Sequence, residues 1–170
     1  MVHPVLRVGV MELRRRPGTQ RHVRVATPLP GLAVTASRVP GEADLVLDAT
    51  LESIDGAVTV TGTVEVPWVA ECRRCLDDVG GVLRVEVSEI FEVRPNDGET
   101  YPIDGDEVDL EPVVRDAALL HLPLAPLCRP DCPGPAPETF PTLVDGSGAT
   151  TEEPARDPRW AALDQLHLDD

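Results

Sequence analysis

The chain has 170 residues, 42% hydrophobic and 3% aromatic, with 18 prolines, 13 glycines and a formal net charge of −15. That length suffices for one buried core, or a core plus a tail. No apolar run approaches the ~18 residues of a membrane-spanning helix, and residues 1–10 lack the apolar stretch and cleavage site of a secretory signal, so the expected address is the cytoplasm, where thiols stay reduced.

Val5 to Val10 reads as a strand. Met11 to Gly18 is a short arginine-rich connection that Pro17-Gly18 closes as a turn. Arg21 to Ala26 alternates charged and apolar residues, as a half-buried strand does, and Leu32 to Val39 offers another strand. Ala43 to Ile54 alternates around Leu45, Leu47, Ala49 and Leu51, and Asp55-Gly56 is a hairpin signal. Ala57 to Val69 returns with Val58, Val60, Gly62, Val64 and Val66 on one face and Thr59, Thr61, Thr63 and Glu65 on the other; Pro67 marks a strand end or an edge. Asp77 to Gly81 reads as a turn. Val82 to Val93 reads as a third long strand with Val85, Val87 and Phe91 turned inward.

Asn96 to Glu107 is polar and turn-rich. Asp109 is placed to cap a helix with Glu111 and Pro112 in its first turn. Val113 to Leu122 is the best helix, apolar over most of its circumference, and Pro123 stops it. The pattern predicts an α+β fold: an antiparallel β-sheet meander, curled towards a barrel, packed against one buried helix. Residues 1–132 form the expected core domain, 133–153 a flexible linker, and 154–170 a docking helix that opens at Asp157-Pro158 and carries Trp160, Leu163 and Leu166.

The four cysteines fall into two pairs, Cys72-Arg73-Arg74-Cys75 and Cys128-Arg129-Pro130-Asp131-Cys132. A CxxC and a CxxxC with none left over match the ligand count of a tetrahedral structural Zn(II) site. Such a site would be worth on the order of 10 kcal/mol of apparent binding at neutral pH. Arg73 and Arg74 would offset thiolate charge. The same pattern also suits four free thiols or a redox pair at Cys72 and Cys75, although a thioredoxin-like CxxC opens a helix and this one precedes a turn.

All 15 basic residues are arginine; residues 1–40 hold seven of them against Glu12 alone, whereas residues 41–170 hold eight against 29 acids. The acidic body repels free nucleic acid and attracts basic proteins. Arg14, Arg15, Arg16, Arg21 and Arg24, beside His22, are the candidates for phosphate contact with RNA. The alternative is a solvated face paired with the acidic body. No neighbouring aromatics offer base stacking. Asp104, Asp106, Glu107, Asp109 and Glu111 lack the ligand order of a calcium loop and read as a solvated turn with a helix cap. His121 is a helix-end residue, or a substitute metal ligand. No local arrangement of nucleophile, base and orienting group is present.

Three separated stretches, together with Leu13 to Gly18, resemble one family: Cys72 to Leu76 (CRRCL), Asp104 to Cys128 (DGDEVDLEPVVRDAALLHLPLAPLC) and Asp157 to Leu163 (DPRWAAL). The resemblance is to the bacterial YceD family of large ribosomal RNA subunit accumulation proteins. It implies a small cytoplasmic protein that helps large-subunit (23S) ribosomal RNA to be processed or to accumulate, and it points to no catalytic residues. Similar proteins often carry further cysteines after the second pair. Pro133 to Ala149 has none, which leaves a four-cysteine site or no site, and puts a larger metal cluster out of reach.

The expectation is therefore a non-enzymatic ribosome biogenesis factor. Its partners would be precursor RNA of the large subunit, a basic ribosomal protein, or both, with neither a membrane nor a small-molecule substrate. The alternative is an enzyme, either a thiol redox protein using the CxxC pair or a nuclease acting on precursor ribosomal RNA.

Overall fold

A computed structural model describes residues 4–54 and 56–139. After a 3-10 turn at Pro4–Leu6 come β1 (Arg7–Gly9), α1 (Met11–Arg14), β2 (Gln20–Pro28), β3 (Ser37–Arg38), β4 (Asp44–Ile54), β5 (Ala57–Glu71), β6 (Asp78–Glu92), β7 (Tyr101–Asp104), β8 (Glu107–Asp109) and α2 (Glu111–His121). The architecture is mostly β with two helices, consistent with an α+β fold. One eight-stranded sheet runs in spatial order β1-β8-β7-β6-β5-β4-β2, with β3 paired to β5 off that path.

The alternation of apolar residues produces the long strands. Leu45, Leu47, Ala49 and Leu51 of β4, Val58, Val60, Val64 and Val66 of β5, and Val85, Val87 and Phe91 of β6 are all buried in one cluster. Val113, Val114, Ala117 and Ala118 of α2 complete that cluster. Each fully buried aliphatic side chain contributes roughly 1.5–3 kcal/mol of transfer free energy. Phe91 stacks on Tyr101 with ring centroids 5.2 Å apart, and the Tyr101 hydroxyl donates to Asp116 of α2 at 2.9 Å.

Several expectations shift. The first strand shortens to β1, because residues 4–6 make the 3-10 turn. Met11–Arg14 is a helical turn rather than an irregular connection. Residues 32–39 hold only β3 and an isolated bridge between Ala33 and Arg38, since the chain doubles back there: the Val34 amide donates to the Ser37 carbonyl and the Val39 amide to the Leu32 carbonyl. The polar stretch 96–107 contains β7 and the start of β8, strands too short for periodicity to reveal.

Pro67 does not end β5. It lies between the last β4 partner, Glu65↔Val46, and the first β3 partner, Val69↔Arg38, so a residue without an amide proton sits in a gap of the ladder. Residues 78–81 are strand rather than turn, and Gly80 and Gly81 make room there. A Cβ on Gly80 would lie 2.6 Å from the Trp68 carbonyl, and one on Gly81 would lie 3.5 Å from the Trp68 indole nitrogen.

The helix starts at Glu111 with Leu110 at its cap position. Asp109 is instead the last residue of β8, yet its carboxylate still accepts the Glu111 amide at 3.0 Å. The helix is apolar on one side only: Pro112 and Asp116 are exposed, and Leu120 is 81% exposed. The docking helix at 154–170 and most of the linker at 133–153 lie outside the described residues.

Candidate metal centre

The turn between β5 and β6 is the first cysteine pair itself. Cys72 ends the approach from β5, residues 73–75 form the turn, and the Leu76 amide donates back to the Cys72 carbonyl at 2.9 Å. Leu76 then adopts a left-handed φ of 65°, a conformation that costs a non-glycine residue roughly 1–2 kcal/mol. It turns the chain so that the Cys72 amide meets the Asp77 carbonyl at 2.8 Å and β6 can begin.

The second pair comes from the segment after α2. The Pro123 carbonyl accepts the Ser37 hydroxyl at 2.8 Å, and the Pro126 carbonyl accepts the Arg73 amide at 2.9 Å. Arg74 donates to the carbonyls of Cys132 at 2.9 Å and Pro130 at 3.4 Å. The two cysteine segments are thus joined by backbone and guanidinium contacts, independently of their sulfurs. Arg74 acts here as a clasp, a role the sequence did not disclose.

All four Sγ atoms lie within 4.8 Å of one another. Cys72 and Cys132 are 3.8 Å apart, and Cys75 and Cys128 are 3.7 Å apart. These separations far exceed the ~2.05 Å of a disulfide. They match the ~3.8 Å edge of a tetrahedron built on Zn–S bonds of ~2.3 Å. Cys72 and Cys132 are buried, Cys75 is half-buried and Cys128 is exposed. The donor set therefore fits a structural divalent metal. His121 is not among the clustered ligands; its Nδ1 lies 2.9 Å from the Ala117 carbonyl of its own helix.

The thiols are not equivalent. Hydrogen bonding from the Cys75 amide draws Cys72 down to about 6, against the opposing effect of burial. For Cys75 the Asp77 amide pulls downward, but burial and the Cys72, Asp77 and Cys132 side chains outweigh it, and the thiol is pushed up. Cys128 is raised by its hydrogen bond with Cys132 and then by burial. Four sulfurs this close cannot all ionise without a cation among them.

The arginine candidates divide. Arg14 donates to the Gly105 carbonyl at 3.2 Å and lies 3.7 Å from Asp106. Arg24 and His22 both engage Asp48, at 2.9 Å and 2.7 Å. Arg21 donates to the Gly9 carbonyl at 3.0 Å, which links β2 to β1, the two ends of the strand path. Arg15 reaches only the Met11 sulfur, at 3.5 Å, and among the described residues neither Arg15 nor Arg16 has a carboxylate partner. Arg15, Arg16 and Arg21 line an open cleft of about 890 Å³ against α1. A second cleft of about 570 Å³, lined by Arg14, Arg15, Ile54 and Asp106, shares Met11 and Arg15 with the first. Three of the acids flagged by sequence answer this basic segment: Glu107 and Asp109 face Arg7, and Asp106 faces Arg14. Glu111 pairs with Arg115 at 2.8 Å, and Asp104 is exposed in β7.

The sequence model of the family described as large ribosomal RNA subunit accumulation protein YceD matches residues 60–167. The chain belongs to the YceD family. Uncharacterized proteins of Mycobacterium bovis and Mycobacterium tuberculosis are each 39% identical to it over 170 residues, spanning 94% of this chain and 80% of their own length. An uncharacterized protein of Mycobacterium leprae is 33% identical over 175 residues, spanning 98% of this chain and 79% of its own. No solved structure matches. No helix among the described residues is long and apolar enough to cross a membrane.

Proposed function

We propose that this chain is a cytoplasmic, non-enzymatic ribosome biogenesis factor that supports processing or accumulation of large-subunit (23S) ribosomal RNA. The observation that carries the reading is the family match over residues 60–167. The charge distribution supports a division of labour. The cleft at α1 offers Arg15 and Arg16, without carboxylate partners among the described residues, and Arg21 beside them, a surface suited to phosphate. Arg14 and Arg24 keep a carboxylate partner and add net field rather than free donors. The acidic body suits a basic ribosomal protein.

Cys72, Cys75, Cys128 and Cys132 would hold Zn(II) in this reading, within a core domain of residues 1–132. The metal would supply a crosslink between the β5–β6 turn and the exit of α2, with no open position for substrate. The four-sulfur cluster favours this role over a two-cysteine redox pair, because Cys72 and Cys75 sit beside two further thiols rather than at the start of a helix.

The test is cofractionation of the full chain with large-subunit precursors from cells, repeated at increasing salt. The expected result is an association that weakens as salt rises. Turnover of a dithiol substrate that disappears in Cys72→Ser would overturn the assembly reading.

A further inference from the structure

Among the described residues, β6 has a long edge with no strand paired to it. Along its whole length it pairs with β5 on one side. On the other side it meets β7 only at Phe91 and Glu92. Among the described residues, no backbone group between Val79 and Ile90 has another backbone partner on that side. α2 packs against β6 and shares the buried cluster with Val85 and Val87, on the face opposite Arg84 and Glu86. Along the opposite face Arg84, Glu86, Ser88 and Ile90 are exposed, and Val82 is 65% exposed. An unpaired edge of this length is a ready template for another strand.

We infer that the occupant is the same edge of a second copy of this chain, paired antiparallel about a two-fold axis at Val85. The inference rests on two features that fall at one point. A two-fold axis perpendicular to the sheet pairs outward residues with outward ones, so only registers that preserve the face alternation are allowed. Centring on Val85 uses the middle of the free edge, and Gly80 then faces Ile90 of the second copy. In that register Arg84 faces Glu86 and Glu86 faces Arg84, two equivalent ion pairs on the solvent face. Leu83 faces Val87 on the apolar face. Shifting the centre to Arg84 or Glu86 instead sets like charge against like charge, which is destabilising across strands. Arg84 already pairs with Glu65 on β5, and Glu86 has no ion-pair partner among the described residues. The dimer would place each arginine between two carboxylates and continue the sheet across both chains.

The experiment measures the mass of the full chain in solution across a dilution series. The expected species is a dimer of the 18.3 kDa chain. Glu86→Arg sets Arg84 opposite an arginine, and Arg84→Glu sets Glu86 opposite a glutamate. Each variant alone is expected to dimerise at least about tenfold more weakly. Mixed together, the two variants restore both ion pairs, because the strand with two acids at positions 84 and 86 then faces the strand with two arginines there. A heterodimer in the mixture supports the inference, since mere loss of folding in either variant would not produce it. A wild-type monomer at the highest soluble concentration overturns the inference. So does dimerisation of Glu86→Arg at wild-type strength, or a mixture that behaves as its separate components.

Discussion

The β5–β6 pair ends in sulfur on one side and beside arginine on the other. At its turn, the cysteines of residues 72–75 meet those of residues 128–132. At the far end, roughly 45 Å away along a 15-residue strand, Gly56 and Ala57 flank the cleft that holds Arg14 and Arg15. The two ends teach different rules. A metal site works only if all its ligands converge, so its parts are cooperative and coupled to folding. In the proposed function the cleft would bind phosphate through contributions that are largely independent, and Arg15 and Arg16, both exposed, carry little of the fold.

The largest expected effect breaks the sulfur end. Cys72→Ser should reduce bound zinc below about half an equivalent and lower the melting temperature by roughly 10 °C, since several of the ~10 kcal/mol of metal binding are folding free energy. Cooperativity sharpens the contrast: Cys75→Ser with Cys128→Ser should cost little more than either alone, as melting curves of the three variants would show. At the other end, Arg15→Glu and Arg16→Glu should each weaken binding of a large-subunit precursor RNA fragment about tenfold and lower the salt slope by about one. Those two losses should add, with thermal stability unchanged within about 0.5 kcal/mol.

Two smaller effects probe the backbone and the surface. Leu76→Gly should stabilise the chain by about 1 kcal/mol in denaturant titration, because glycine accepts the left-handed φ of 65° without strain. Asp48 sits below its ordinary value of 3.8, chiefly because His22 donates to it, with Arg24 adding attraction. A carboxylate depressed in the folded state contributes stability that is complete above its unfolded value and lost as pH falls through the folded one. Asp48→Asn should therefore cost a little stability at neutral pH and progressively less as pH falls below about 4, which flattens the acid limb of the stability profile by that small amount.

How far each end could be read from sequence follows from the same contrast. Cysteines are rare and chemically distinct, so two close pairs announced a shared site although some fifty residues separate them. The alternation in β4, β5 and β6 was equally plain, because one face of each is apolar and period two shows it. The clasp at Arg74 and the left-handed Leu76 were not legible, since neither residue type signals its conformation. The arginines were legible as a cluster but not as a surface. Adjacent residues on a strand face opposite ways, so Arg21 turned from His22 and Arg24, and a remote acid, Asp48, claimed both of the latter. β7 and β8 escaped because three or four residues among turn formers give no period to detect. The exposure of Leu120 shows that apolar composition alone does not fix which side of a helix is covered.

The most direct test is metal analysis of the purified full chain, followed by exchange of its metal for cobalt(II). One equivalent of zinc per chain, and a cobalt spectrum characteristic of four thiolates in tetrahedral array, is the expected result. A chain that folds with less than half an equivalent of metal, or with Cys75 and Cys128 joined as a disulfide, would contradict it.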